Sequence, residues 1–440
     1  MLDDQLARAL AAREERGTRR RLYMGDADSA RWRAACVDFS SNDYLSLACS
    51  VRMREALAAR TTGVPTGSGG SRLLDGDSPM HTALEVRIAA HFGAPAALLF
   101  NSGWDANVSL LTTLPQPGDV VVYDALVHAS MHDGMRSSRA AACVPFAHND
   151  PAALDAALGA VLREHPLPRN VFLALESVYS MDGTVCRLRE LLAVLARHVP
   201  DGLCHVLVDE AHAAGVYGAR GRGVCAALDV AVAMRLVTFG KALGCAGAAV
   251  LCPSLWREYL LNYARPLIYS TALSPPAVLA MDVAMDELAS GRADVRAAQL
   301  HARTRQLYGA LGRVHAGPLP PAPIVAIRTC DARALAAHLQ AAGYFVRAVC
   351  YPTVPRGEDR VRICVHTDNT LVQIHGLVGA LRDGGGDGGG GERRAWRSGG
   401  HDQRAAGHVQ AAVAQGRSGT GGAPRDSPSA DDARHLPAAL

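Results

Sequence analysis

The stretch HVLVDEAHAAG, residues 205–215, passes from an apolar run into a polar pair, Asp209 and His212. Near-continuous apolar runs of this length, alternating with longer helical stretches, are typical of a parallel β-sheet that is covered by helices on both faces. In such sheets, ligands bind at the carboxyl ends of the strands. Asp209 and His212 therefore lie where a parallel sheet would present functional side chains.

Apolar runs of the same kind recur on both sides of this stretch, at residues 96–100, 120–124, 170–177, 235–240 and 247–252. Between them, residues 151–165 and 187–199 have the periodicity of helices. The sequence thus predicts an α/β fold, with a mostly parallel sheet in a large domain over residues 51–290.

The segments that flank this domain have different patterns. Residues 1–50 begin with a helical pattern, and residues 291–383 contain strand and helix patterns that suit a smaller α/β domain. Residues 384–440 are rich in Gly, Arg, Ala and Ser and have few large apolar side chains. Such a segment cannot bury enough apolar surface to offset the entropy lost on ordering. We therefore predict that this tail is disordered.

The bulk composition argues against several classes of function. The 45 Lys and Arg residues against 42 Asp and Glu residues give a formal net charge of +3, so we expect neither a nucleic acid nor an acidic membrane as partner. No apolar run is long enough to cross a membrane, and the N-terminus does not resemble a secretory signal. We expect a cytoplasmic protein, while a mitochondrial or peroxisomal location stays open.

The 11 cysteines show no CxxC pair and no Cys/His cluster with the spacing of zinc ligands. Many lie in apolar runs, such as Cys204, Cys252 and Cys364. We expect reduced thiols that act as small buried hydrophobic residues, and no metal site.

Lys241 lies in VTFGKALGCAGAAV, residues 237–250, an otherwise apolar segment rich in glycine and alanine. A lysine in such a segment is either a surface residue whose ammonium reaches solvent or a desolvated amine kept for chemistry. The small neighbours leave room for a ligand close to the backbone. The local sequence alone does not decide between the two.

Three other positions, Asp209, Gly103 and His128, each have a structural and a functional interpretation when considered alone. Asp209 suits a helix N-cap, or the carboxylate that keeps the pyridine nitrogen of pyridoxal phosphate (PLP) protonated. Gly103 follows a strand and suits an ordinary strand-to-helix turn, or a phosphate site at a helix N-terminus. His128 suits a structural role, or stacking on a flat ring.

The order of these residues along one sheet resembles that of the fold-type I PLP enzymes and, within them, of the α-oxoamine synthases. The resemblance covers about residues 19–382 and rests on FSSNDYLSL (39–47), TGSGGSRLLDG (66–76), NSGWDAN (101–107), HAS (128–130), ESVYSMDG (176–183), VDEAHAAGVYGARGRG (208–223), TFGKALG (238–244) and LIYSTAL (267–273). It implies PLP as cofactor and a mostly parallel, seven-stranded type of sheet between helices, followed by a smaller C-terminal domain.

For the cofactor and the chemistry, the resemblance implies a role at each matching position. Lys241 resembles the Schiff-base lysine, Asp209 the partner of the pyridine nitrogen, and His212 the donor to the 3′ oxygen. The other implied PLP contacts are Gly103, Trp104, His128, Ser180, Thr238 and Thr271. Since Thr271 matches a contact from the neighbouring subunit, the resemblance also implies a homodimer with shared active sites.

On the substrate side, the implied contacts are Arg19, Asn42, His128, Thr353 and Arg362. The chain departs from the family pattern at Cys350, where related enzymes often carry an arginine suited to gripping a carboxylate. Arg347 and Arg362 are nearby alternatives, and Arg362 matches an arginine of the family. We hypothesise that Arg362 holds the carboxylate of the amino-acid substrate.

The loop at residues 67–76 and the stretch 351–366 are most similar to the 8-amino-7-oxononanoate synthase branch, which joins L-alanine to a pimeloyl thioester in biotin synthesis and releases CoA and carbon dioxide. A related synthase with another acyl or amino-acid specificity, as in secondary metabolism or the 2-amino-3-ketobutyrate ligase branch, stays open. A noncatalytic subunit and an aminotransferase share the fold. Retention of Lys241 with Asp209 and His212 argues against the noncatalytic subunit, and the serine-glycine loop argues against the aminotransferase.

Overall fold

The computed structural model of the chain describes residues 1–20, 22, 32–166 and 169–384. From residue 385 onward, the tail that we predict to be disordered lies outside the described residues. In chain order the strands are β1 (Val37–Asp38), β2 (Ala96–Phe100), β3 (Val120–Asp124), β4 (Ala142–Phe146), β5 (Val171–Glu176), β6 (Cys204–Asp209), β7 (Met234–Thr238), β8 (Ala248–Cys252), β9 (Ile324–Arg328), β10 (Tyr344–Phe345), β11 (Arg347–Val349) and β12 (Arg360–Cys364).

The helices cover both faces of the sheet and follow the predicted pattern. None of those in the described part of the chain is long and apolar enough to span a bilayer. They are α1 (Leu2–Glu15), α2 (Val51–Thr61), α3 (Pro79–Phe92), α4 (Gly103–Thr113), α5 (Ala129–Arg136), α6 (Pro151–Glu164), α7 (Leu188–His198), α8 (Gly223–Ala227), α9 (Ser254–Tyr263), α10 (Arg265–Tyr269), α11 (Pro275–Ala289), α12 (Arg292–Ala310), α13 (Ala332–Ala341) and α14 (Leu371–Asp383).

The large sheet has seven strands in the order β2-β8-β7-β6-β5-β3-β4. Strand β8 runs antiparallel to both of its neighbours, and the neighbouring strands from β7 to β4 pair in parallel. The prediction of a mostly parallel sheet is therefore confirmed. Because the parallel strands point the same way, their carboxyl ends meet at one edge, where the candidate residues follow them.

Alternate residues of the central strands enter two separate apolar clusters. Leu173 and Val208 belong to the cluster on one face, whereas Phe172 and Leu207 belong to the cluster on the other. Every residue of β5 is buried. Burial on both faces is the reason why these strands have near-continuous apolar sequences.

Strand β4 lies outside the predicted runs and is the edge strand next to β3. It contains Pro145, which cannot donate a backbone hydrogen bond. Proline is tolerated at a sheet edge, where one side of the strand has no neighbour to receive that bond. The edge position therefore explains why the sequence signal for this strand is weak.

The C-terminal strands form a separate antiparallel sheet in the order β11-β12-β9. Residues 344–350 contain two short strands rather than one: β10 pairs with β1 from the N-terminal segment, and β11 pairs with β12. The predicted boundary after residue 290 falls between α11 and α12 and stays a prediction. This second sheet places Arg362 opposite Arg347 on the neighbouring strand.

A buried carboxylate anchors the glycine-rich loop of residues 66–76 to the large sheet. Glu85, on α3, is 3% exposed and accepts hydrogen bonds from Arg72 of the loop at 2.8 Å and Arg257 of α9 at 2.6 Å. It also accepts the backbone N–H of Leu99 in β2 at 3.0 Å. Removing one partner from a buried ion pair leaves an uncompensated charge, so this group should matter for stability.

We expect Glu85→Gln to lower the free energy of unfolding by about 3 kcal/mol, because it leaves two arginines without their shared buried counter-charge. Denaturant unfolding followed by circular dichroism measures this loss. The matched control is Glu55→Gln, which changes an exposed glutamate on α2. A loss below about 0.5 kcal/mol, as is usual for surface substitutions, would contradict the anchoring role.

Candidate active site

Four candidate residues lie at the carboxyl ends of two neighbouring strands of the large sheet. Asp209 is the last residue of β6, and His212 lies just beyond it. Thr238 is the last residue of β7, and Lys241 lies just beyond it. Because β6 and β7 pair in parallel, both turns open at the same edge of the sheet. This is the edge at which parallel sheets bind their ligands.

Lys241 is half-buried, and its Nζ lies 2.9 Å from Nε2 of His212. Burial lowers the pKa of the Lys241 ammonium group, against the opposing influence of the Asp209 and Glu176 carboxylates. A lowered pKa increases the fraction of neutral amine, the form that acts as a nucleophile or base. The sequence also holds a signal that motif reasoning does not use: Lys241 is the only lysine among the 45 Lys and Arg residues of the chain.

His212 joins Lys241 to a residue that sequence reasoning does not single out. Burial, together with the nearby cations of Lys241 and Arg362, holds the pKa of His212 well below its ordinary value, so the ring is neutral. Its Nδ1 lies 2.7 Å from the hydroxyl of Tyr44. Tyr44 belongs to the motif FSSNDYLSL and is completely buried.

Asp209 is held in one orientation by donors on two elements. Its Oδ1 accepts the backbone N–H of Ala211 at 2.8 Å, and its Oδ2 accepts from Nδ2 of Asn107 at 2.8 Å. Asn107 lies on α4 and is the last residue of the motif NSGWDAN, although the motif alone does not indicate this contact. The Oδ1 of Asn107 is buried and has no hydrogen-bond partner within the described residues.

His128 is fixed by Ser130 at the start of α5. Its Nδ1 accepts the backbone N–H of Ser130 at 3.2 Å and lies 2.8 Å from the hydroxyl oxygen of the same residue. Burial lowers the pKa of His128, although Asp209 opposes this, and the neutral ring then carries its proton on Nε2. Trp104 meets the ring edge-on, with centroids 5.7 Å apart. His128 therefore offers an N–H donor to the site.

Glu176 is a second carboxyl group beside Asp209. It ends β5 and pairs in register with Asp209 on β6. Burial, followed by the charge of Asp209, raises the pKa of Glu176 well above its ordinary value. The Oε1 of Glu176 is buried with no hydrogen-bond partner in the part of the chain that the structure describes.

Gly103 and Thr238 are neighbours, as the predicted cofactor contacts require. Helix α4 begins at Gly103, directly after Ser102, whose Oγ accepts the N–H of Asp105 at 3.1 Å. A Cβ atom built on Gly103 would lie 3.9 Å from Oγ1 of Thr238. The Thr238 hydroxyl donates to the carbonyl of Gly247 at 3.3 Å. The turn before α4 and the end of β7 thus border the same space.

Arg362 reaches from the second sheet to the edge of the large one. Its Nε donates to the carbonyl of Ser180 at 2.5 Å, and its Nη2 donates to Oδ1 of Asn42 at 3.0 Å. The Tyr44 hydroxyl donates to the same Asn42 oxygen at 3.1 Å. The structure therefore brings the predicted residues Ser180, Asn42 and Arg362 together, and Tyr44 connects them to His212.

A cavity of about 450 Å³ lies beside Arg362. It contains Thr353 and Cys350 in its wall and so gathers the predicted substrate residues Arg19, Thr353 and Arg362. None of the described residues that line it is acidic. Its arginines are Arg19, Arg20, Arg333, Arg347 and Arg362.

Thr271 stands apart from this group. It is exposed, and its carbonyl accepts from Nδ2 of Asn101 at 2.9 Å. Asn101 precedes the turn at Gly103, so Thr271 lies near the candidate cofactor turn. Within the described residues, no hydrogen bond joins Thr271 to Lys241 or Asp209.

The donor set fits PLP. A primary amine with a lowered pKa, Lys241, and a buried carboxylate, Asp209, follow adjacent strands, and these groups suit the aldehyde carbon and the pyridine nitrogen.

The backbone near the lysine is tightly packed at Gly244, which has a φ of 66°. A Cβ atom there would lie 2.4 Å from the backbone nitrogen of Ala48. Only glycine meets this conformation and close approach without strain.

Residues 34–375 match the family model described as aminotransferase class I and II. The chain is 44% identical over 395 residues to an 8-amino-7-oxononanoate synthase of Emericella nidulans, which covers 86% of this chain and 94% of that protein. It is 37% identical over 377 residues to the aminoacyl transferase sphA of Aspergillus fumigatus, which covers 79% and 80%. The structure matches serine palmitoyltransferase from S. paucimobilis, solved with bound PLP, with a TM-score of 0.71 and 28% identity over 80% of this chain and 87% of that one.

These proteins are α-oxoamine synthases or are named as aminoacyl transferases, and they agree with the resemblance that the sequence motifs indicate. The cofactor that fits Lys241 and Asp209 is the one bound in the serine palmitoyltransferase structure. The chain therefore belongs to the PLP-dependent aminotransferase class I and II family and is an acyltransferase-type enzyme within it.

Proposed function

We propose that the protein joins L-alanine to a pimeloyl thioester, with loss of carbon dioxide and CoA, to give 8-amino-7-oxononanoate for biotin synthesis. The observation that carries the proposal is the contact of Lys241 Nζ with the neutral ring of His212 at 2.9 Å, next to the buried carboxylate of Asp209. The 44% identity to an 8-amino-7-oxononanoate synthase supports this choice of substrates.

Lys241 and Asp209 have different roles in activating the amino-acid substrate. PLP, when bound, supplies an electron sink for negative charge at the α-carbon of the amino acid. Lys241 would hold the cofactor through its Nζ. Once the amino acid has displaced it, the free neutral amine of Lys241 accepts the α-proton, for which its lowered pKa suits it. Asp209, oriented by Asn107, would hold the cofactor by its pyridine nitrogen.

His128 and Arg362 act on the oxygen atoms of the substrates. The Nε2–H of His128 is a fixed donor that can stabilise an oxygen as it gains negative charge when carbon dioxide leaves. The Arg362 guanidinium lines the cavity and holds the alanine carboxylate, since a planar fork of donors matches a carboxylate. Cys350 cannot supply such a cation, so Arg362 is the better candidate.

The arginine-lined cavity supports an acyl donor that ends in a negative charge. Five arginines and no acidic side chain line it among the described residues. A pimeloyl chain ends in a carboxylate, which Arg19 and Thr353 would contact, whereas an uncharged acyl chain has no terminal group to accept hydrogen bonds from them. The charge of the lining therefore favours a dicarboxylic thioester over a fatty acyl thioester.

A related synthase with another acyl chain is the second candidate. The 37% identity to the aminoacyl transferase sphA and the structural match to serine palmitoyltransferase favour it. It requires the same Lys241, Asp209 and His212, so it differs only in the surroundings of the acyl chain. A noncatalytic subunit is less favoured because all three of these residues are present.

We further propose a homodimer in which each subunit contributes Thr271 to the site of its partner. Thr271 is exposed in a single chain and lies near Asn101, at the border of the cofactor turn. An exposed threonine in this position can complete a neighbouring site only if a second subunit covers it. We expect this dimer to work in the cytoplasm.

The acyl and amino-acid substrates can be identified by measuring CoA release from purified protein. We expect pimeloyl-CoA with L-alanine to give the highest kcat/KM, above glycine and L-serine. Heptanoyl-CoA has the same chain length without the terminal carboxylate. Its kcat/KM should be at least about tenfold lower, since a charge-assisted hydrogen bond contributes about 1.5–3 kcal/mol. Lys241→Ala protein is the blank. A preference for heptanoyl-CoA or palmitoyl-CoA would contradict the proposed acyl donor.

Arg362→Ala should raise the KM for L-alanine by about tenfold or more, because it removes a charge-assisted contact to the carboxylate. Initial rates at saturating acyl-CoA measure this change. Arg328→Ala is the matched control, since Arg328 lies on the neighbouring strand β9 and is exposed. An unchanged KM for alanine in the Arg362 variant would refute the assignment.

A further inference from the structure

The hydrogen bonds between Arg362 and Lys241 can be assigned by donor and acceptor, starting from Arg362. A guanidinium group has donors and no acceptor. Its Nη2 lies 3.0 Å from the side-chain amide of Asn42, so the atom of Asn42 that faces it must be the oxygen, Oδ1. This contact fixes the orientation of the Asn42 amide.

The Asn42 oxygen in turn decides where the proton of Tyr44 points. The Tyr44 hydroxyl lies 3.1 Å from Oδ1 of Asn42 and 2.7 Å from Nδ1 of His212. An amide oxygen cannot donate a hydrogen bond. If the Tyr44 proton pointed elsewhere, the lone pairs of the Tyr44 hydroxyl oxygen and of Asn42 Oδ1 would face each other. Tyr44 therefore donates to Asn42, and its oxygen is left to accept the Nδ1–H of His212.

A neutral imidazole carries one proton, and Tyr44 places it on Nδ1. The Nε2 of His212 then has a free lone pair, and this is the atom that lies 2.9 Å from Lys241 Nζ. We propose that Tyr44 is a positioning residue of the active site, which holds His212 as the Nδ1–H tautomer so that Nε2 accepts a hydrogen bond from Lys241. The inference deepens the proposed function and rests on it for the catalytic role of Lys241.

The surroundings of Tyr44 keep this arrangement in place. The side chain is completely buried, and burial raises the pKa of Tyr44, so the phenol stays protonated. The hydroxyl also lies 3.4 Å from Nη2 of Arg362, which can only donate toward it. The donor role that the family resemblance implies for His212 needs the proton on Nε2 instead. The two roles of His212 thus differ in the position of one proton.

Nitrogen NMR of the protein without cofactor measures that position directly. In protein labelled with ¹⁵N-histidine, we expect a protonated Nδ1 and an unprotonated Nε2 for His212, whose signals are identified by their absence in His212→Asn protein. In Tyr44→Phe protein, Nδ1 loses its acceptor, so the proton should distribute over both nitrogens. Tyr217→Phe is the matched control: this tyrosine is also buried, but its hydroxyl donates to the carbonyl of Pro320.

A second variant keeps the tyrosine ring in place. Asn42→Ala removes the acceptor of the Tyr44 proton, so Tyr44 can donate to Nδ1 and the proton of His212 should move to Nε2. The turnover rate gives an independent measurement. We expect Tyr44→Phe to lower kcat by about tenfold to hundredfold, because a partner that orients His212 is lost. The control Tyr217→Phe should change kcat by less than about twofold.

A proton on Nε2 in the wild-type protein would overturn the proposal, as would an unchanged Nδ1–H tautomer in both the Tyr44→Phe and Asn42→Ala proteins. These readings need neither substrate nor cofactor. If the protein used a different acyl or amino-acid substrate, the proposed function would fail but the tautomer of His212 would be unaffected. If His212 had the other tautomer, the proposal for Tyr44 would fail even when turnover of the proposed substrates is confirmed.

Discussion

The hydrogen bond between Lys241 and His212 requires the ends of β6 and β7 to lie side by side, and the order of the large sheet provides this. Placing a primary amine there takes it out of water, which favours its neutral form. The negative charge of Asp209 offsets part of that cost without removing the effect. The reactivity of the site therefore depends on a balance between burial and the nearby carboxyl groups of Asp209 and Glu176.

Two groups of side chains meet around this bond. Asp209 and His128 lie on the side where the cofactor fits, while Arg362 faces the arginine-lined cavity. The buried hydroxyl of Tyr44 connects the two groups, since it contacts both His212 and Asn42. The second sheet is thus part of the site, because it is the element that carries Arg362 to the carboxyl edge of the first.

The sequence predicts the large sheet well because its central strands are buried on both faces and therefore read as apolar runs. It predicts Lys241, Asp209 and His212 as a group because each follows such a run. The edge strand β4 and the division between β10 and β11 are not predicted, since both depend on which strands are neighbours. The contacts of Tyr44 and Asn107 are not predicted for a similar reason: their partners His212 and Asp209 lie 168 and 102 residues away in the chain.

The charge state of Lys241 tests this picture most directly. Because Lys241 is the only lysine in the chain, cofactor-free protein labelled with ¹³C at the lysine ε-carbon gives a single side-chain resonance, whose chemical shift follows protonation of the amine. A desolvated amine beside His212 should titrate with a midpoint clearly below the ordinary lysine pKa of about 10.4. A midpoint at or above that value would show a solvated or fully ion-paired ammonium group, and would contradict the role of Lys241 as the neutral amine of the site.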